Sequence, residues 1–76
     1  MDNLLLLKSR KCVYLKSGRE IYRLSIHDKK YELACWDGKW TGKEIKEDTA
    51  ANLLKENQVT CSLQQVHFWI LGMGDL

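Results

Sequence analysis

The chain contains no proline in 76 residues, so no bend or sheet edge is marked by that residue. It has no apolar run approaching the ~18 residues of a membrane span. Leu4-Leu5-Leu6-Leu7 is far too short, and it lacks the basic n-region and small-residue cleavage site of a signal peptide. The cysteines Cys12, Cys35 and Cys61 are odd in number and scattered, unlike the dense, even set of a disulfide-stapled secreted fold. They read as reduced, mostly buried small hydrophobes. A cytoplasmic protein with no membrane contact is the expectation.

The chemistry-bearing spacings are missing as well. There is no Cys-x-x-Cys and no His-x-x-x-His, so no zinc site and no other metal site is expected. A thiolate nucleophile needs a base within hydrogen-bond reach. Cys61 and His67 lie six apart, which in one strand is about 20 Å, and a Cys12–His27 pair has no third group to orient it. Glu44, Glu47 and Asp48 cluster where a helix begins, and capping explains them there. Gly18, Gly38 and Gly42 read as turn residues, with no phosphate-cradling loop. A chain this short also has little room for a closed substrate pocket. No catalytic residue and no cofactor is assigned, and an enzyme is not expected.

What is present is one small globular domain over residues 1–76, with 1–3 and 72–76 expected to be loose ends. The 45% apolar content is ordinary for a folded protein. The net charge of +2 hides an asymmetry. Residues 1–43 carry ten Lys/Arg against five Asp/Glu, and residues 44–76 carry two against five. The first part is therefore basic and the last acidic.

The first two-thirds reads as strands. Residues 11–16 are β-branched and aromatic and end at Ser17-Gly18. Residues 20–27 alternate, with Tyr22, Leu24 and Ile26 on one face and Arg23, Ser25 and His27 on the other. Residues 31–36 and 39–45 continue the sheet. A two-residue turn at Asp28-Lys29 pairs Ile26 with Tyr31 and Leu24 with Leu33. An Asp-Gly pair between apolar residues is a strong hairpin signal, and a two-residue turn at Asp37-Gly38 pairs Cys35 with Trp40. One face then holds Tyr22, Leu24, Ile26, Tyr31, Leu33, Cys35 and Trp40. The other holds Arg23, Ser25, His27, Lys30, Glu32, Ala34, Trp36 and Lys39. For the first hairpin two registers stay open. A two-residue Ser17-Gly18 turn puts Val13 and Leu15 inside, and a three-residue loop puts Cys12 and Tyr14 inside.

Residues 46–58 read as the one helix, with Glu47 and Asp48 in its first turn, an Ile45–Ala50 staple, and Ala50, Leu53 and Leu54 as its apolar stripe. The apolar run Val66–Leu71 reads as a final strand. Leu4–Leu7 reads as a strand beside it, or as a short hydrophobic arm. The fold class is α+β: a mainly antiparallel sheet of four to five strands with one helix on one face, in the order β-β-β-β-α-β. The expected core comprises Tyr22, Leu24, Ile26, Leu33, Cys35 and Trp40 from the sheet. The rest of it contributes Ala50, Leu53, Leu54, Val66, Phe68 and Ile70.

Function is then sought on the surface. Arg23, His27, Lys30, Trp36 and Lys39 share the polar sheet face and are the candidate partner-binding residues, an aromatic among basic groups being a common interface composition. The favoured reading is a non-enzymatic protein that engages and blocks a larger protein or nucleoprotein partner. By size alone it falls with phage and mobile-element inhibitors of host defence, such as anti-CRISPR proteins. The alternative is a single-stranded nucleic-acid-binding module using the same basic face. An open sheet edge also leaves room for a homodimer.

Overall fold

The computed structural model describes residues 3–72. Four strands run in succession: β1 (Cys12–Ser17), β2 (Glu20–His27), β3 (Lys30–Trp36) and β4 (Trp40–Ile45). A short β5 (Gln58–Thr60) joins β1, and the five-stranded antiparallel sheet has the order β4-β3-β2-β1-β5. Three helices accompany it: α1 (Asn3–Arg10), α2 (Glu47–Glu56) and α3 (Leu63–Gly72). The class is α+β, with a mainly antiparallel sheet and helices packed against it.

The Asp28-Lys29 turn forms as the sequence predicts. His27 pairs with Lys30, Ile26 with Tyr31 and Leu24 with Leu33, and both turn residues have positive φ, 50° and 64°. That is the geometry a two-residue type I′ hairpin demands. The first hairpin turns at Gly18-Arg19, two residues that leave Ser17 opposite Glu20 and Leu15 opposite Tyr22. Of the two registers left open, the side-chain parity is the one that puts Val13 and Leu15 inside, and both are fully buried.

The third hairpin differs from expectation. Trp36 pairs with Trp40 and Cys35 with Thr41, so the loop is Asp37–Lys39, three residues rather than two. Gly38 has φ 102°, but Asp37 is not among the residues of positive φ, and a type I′ turn needs both. The one-residue slip moves Trp40 to the opposite face, beside Trp36 instead of Cys35.

The two apolar segments read as strands are helices. Leu4–Leu7 falls in α1, where unbranched leucines are strong helix formers. Lys11 N–H donates to the Leu7 carbonyl at 2.7 Å and closes its end, and Leu7 is completely buried. Val66–Leu71 falls in α3, which Ser62 precedes as its cap, the Ser62 Oγ accepting from Gln65 N–H at 3.3 Å. The final β-strand is instead the three-residue β5. Nor is Asn3 a loose end: its side-chain amide donates to the Leu54 carbonyl at 3.2 Å, tying α1 to the end of α2. Gly72 is the last residue of α3, and residues 1, 2 and 73–76 of the predicted loose ends lie outside the described residues.

The helices divide between the faces. α1 and α2 close a core of Leu7, Val13, Leu15, Leu24, Tyr31, Ala50 and Leu54, with Tyr22, Ile26, Leu33 and Leu53 half-buried around it. A second, smaller core joins Ile21 to Val66 and Trp69 of α3, flanked by Tyr14, Trp36, Trp40 and Ile70. Of the expected core, Leu24, Ala50, Leu54 and Val66 are buried; Cys35 and Trp40 are half-buried and Phe68 is exposed. Cys61 is exposed as well, and Cys12 and Cys35 are only half-buried.

Candidate functional site

The sheet brings the five predicted contact residues to two separate places. Arg23 and Trp36 lie at the α3 end. The Arg23 guanidinium sits 5.0 Å over the Trp40 ring, within cation–π range. Trp40 in turn contacts Trp36 at 5.1 Å and Tyr14 at 5.9 Å between centroids. Trp36 is therefore not an outward aromatic: it is half-buried in the cluster under α3. Lys39 stands in the Asp37–Lys39 loop beside this cluster and is exposed. The aromatic half of the face, where base stacking was expected, is covered by a helix.

His27 and Lys30 lie at the opposite end of the strands, flanking the β2–β3 turn. Both line a surface depression of about 1040 Å³, walled by that turn, the end of α1 and the β4–α2 junction. Five lysines line it: Lys8, Lys11, Lys29, Lys30 and Lys46. Three carboxylates, Asp28, Glu44 and Glu47, share the wall. Glu47 accepts from the Tyr31 hydroxyl at 3.0 Å and lies 3.8 Å from Lys8. Asp28 is 3.4 Å from His27. Among the described residues, the other four lysines form no ion pair.

The tyrosines are the groups whose acidity the fold perturbs. Burial raises the Tyr31 phenol above its ordinary value, and the hydrogen bond to Glu47 raises it further. Burial also raises Tyr14, with Cys12 adding to the effect and Arg23 opposing it. Tyr22 is pushed up to about 12, chiefly by its hydrogen bond to Glu20. Each shift keeps the phenol neutral.

The surface feature the sequence reading missed is the outer side of α3. This helix carries no Lys, Arg, Asp or Glu. It buries Val66 and Trp69 and leaves Leu63, Phe68 and Leu71 between 61% and 69% exposed. Read as a strand, the segment had no outer side to consider. The signal for a helix was present in Ser62-x-x-Gln65, the spacing of a capping box. The edge strand β4 is exposed from Thr41 to Glu44, and its Lys43 and Glu44 are charges of the kind that discourage edge pairing. Among the described residues no three of His, Cys, Asp and Glu gather as a metal-holding group, and no helix is long and apolar enough to cross a membrane. Compared with protein-family models, curated proteins and solved structures, the chain shows no significant match.

Proposed function

We propose that the chain is a non-enzymatic binding module that engages a larger protein and blocks it by occupying a surface, with the outer side of α3 as its principal contact. One observation carries this reading: an uncharged helix holds Leu63, Phe68 and Leu71 largely in water. An amphipathic surface helix normally turns a charged or polar face outward. Aromatic and aliphatic side chains free of charged neighbours are the composition of an interface centre. The basic groups Arg23 and Lys39 border the α3 cluster and suit the rim, where charge sets orientation and encounter rate more than affinity. The non-enzymatic part rests on the absence of any catalytic spacing in the sequence.

The test is affinity capture from a native lysate with the wild-type chain and with F68Q/L71Q. Both positions are exposed, so the variant is expected to keep its circular dichroism and its melting temperature. A defined partner held by the wild type and lost by the variant supports the reading. A partner retained equally by both removes α3 from the interface.

A further inference from the structure

The depression at the β2–β3 turn holds two lysines in an unusual state. Lys11 has φ 69° and Lys29 has φ 64°, a left-handed conformation that is uncommon for side chains with a Cβ and natural for glycine. Each stands where glycine is the relaxed choice. Lys11 follows the last turn of α1, the position at which glycine commonly ends a helix. Lys29 is the second residue of a type I′ turn, the glycine position of Asn-Gly and Asp-Gly hairpins. The third non-glycine residue of positive φ, Asp28, lines the same depression. Chain stability is thus conceded twice, both times at a lysine that lines the same concavity. Strain of this sort gathers at functional sites.

We infer that this lysine-lined depression is a docking site for an acidic segment of the protein partner. Lys11, Lys29, Lys30 and Lys46 carry no ion pair among the described residues, and five lysines face three carboxylates, of which Glu47 is paired with Lys8. The local field is positive, and it complements a chain of Glu or Asp side chains. The lining contains no arginine, the residue that grips phosphate with a bidentate fork. Its one phenol, Tyr31, is buried and has its hydroxyl on Glu47, which leaves only the small imidazole of His27 exposed in the lining and no platform of rings for successive bases. Interspersed carboxylates also repel a continuous phosphodiester, whereas a peptide can place its charges around them. The inference rests on the protein-binding reading and adds to it a second contact, at the other end of the sheet from α3.

The probe is a fluorescein-labelled peptide of alternating Glu and Ser, titrated by anisotropy at low salt, with an oligothymidylate of equal length as the competing class. K11G/K29G is the informative variant, because it removes two charges and relaxes two backbones at once. It is expected to melt a few degrees higher than wild type while binding the peptide about tenfold more weakly. K30Q/K46Q, which alters no backbone conformation, is expected to weaken binding similarly, and K16Q/K55Q, outside the depression, to leave it unchanged. Added salt lowers the wild-type affinity.

Several results overturn the inference: no peptide binding at low salt, equal affinity in K11G/K29G, a lower melting temperature for that variant, or tighter lysine-dependent binding of the oligothymidylate. The two readings fail separately. Loss of the captured partner in F68Q/L71Q together with unaltered peptide binding by K11G/K29G overturns the acidic-segment site and keeps the α3 interface. A partner retained by F68Q/L71Q but lost by K11G/K29G does the reverse.

Discussion

On one face of the sheet, Leu7, Val13, Leu15, Leu24, Ala50 and Leu54 close an aliphatic core beneath two helices, and most of them reach complete burial. On the other face, one helix rests on Ile21 and a ring of half-buried aromatics, with Trp69 at 9% exposure the most solvent-exposed of its buried members. The first face is held by side chains that interdigitate and exclude water. The second is held by broad rings whose edges remain wet, on a helix with apolar groups on both of its sides. Interiors built in the first way tolerate little change in volume. The second has the composition of an interface; the tightest packing lies on the α1/α2 face, and the proposed recognition surface lies on the α3 face.

The comparison is tested most severely at Leu24, which is fully buried in the centre strand β2. Leu24→Ala is expected to cost about 2–5 kcal/mol, against a total stability of roughly 4–11 kcal/mol for a chain of this length. Urea unfolding followed by circular dichroism measures it. A loss below about 1 kcal/mol would show that the aliphatic face is not the stabilising one.

Trp69→Ala probes the other face and should act differently. A tryptophan removed from a closed core typically costs about 3–5 kcal/mol. Here the loss is capped by the free energy that docks α3, since the helix can leave the sheet while β1–β4 stay paired. A cost of about 1–3 kcal/mol is expected, with amide exchange accelerated in residues 63–72 and the strands still protected. Uniform acceleration across the strands would mean that the two faces form one cooperative unit, and the division of roles drawn from them would fall.

This asymmetry also explains what could be read from the sequence. The α1/α2 face was largely legible: residues 20–27 alternate, a two-residue Asp28-Lys29 turn pairs Leu24 with Leu33, and Ala50, Leu53 and Leu54 mark the covering helix. Leu4–Leu7 was the exception, because an unbroken apolar run has no period to separate helix from strand. The same ambiguity hid α3, and with it the covered state of Trp36. The Asp37-Gly38 pair misled for a tertiary reason. A three-residue loop places Trp40 beside Trp36 and under Arg23, an arrangement that a local turn preference cannot anticipate. Of the five candidate contacts, His27 and Lys30 do meet in one depression. Lys29 joins them from the same turn, while Lys8 and Lys11 come from the end of α1 and Lys46 from the β4–α2 junction, which only the folded chain brings together.

The finest test sets one tyrosine from each face against the other in alkali. Tyr31 is 6% exposed in the aliphatic core, and burial and Glu47 both favour its neutral form. Tyr14 is half-buried in the aromatic cluster, where burial and Cys12 favour the neutral form and Arg23 favours the phenolate. A phenol whose folded pKa is raised lends stability that is complete below the ordinary tyrosine value of about 10 and is lost as pH climbs through the folded value. Stability is therefore expected to be flat up to that point and to fall above it. Tyr31→Phe should flatten this alkaline limb more than Tyr14→Phe, because two influences act together at Tyr31 and a cation opposes them at Tyr14. At neutral pH, Tyr31→Phe removes one hydrogen bond worth about 0.5–1.5 kcal/mol. The low end is expected, since the Glu47 side chain is 55% exposed and keeps Lys8 and water as partners. Urea midpoints across the alkaline range for the two variants decide the matter, and an equal or larger flattening from Tyr14→Phe would place the tighter, drier packing on the α3 face instead.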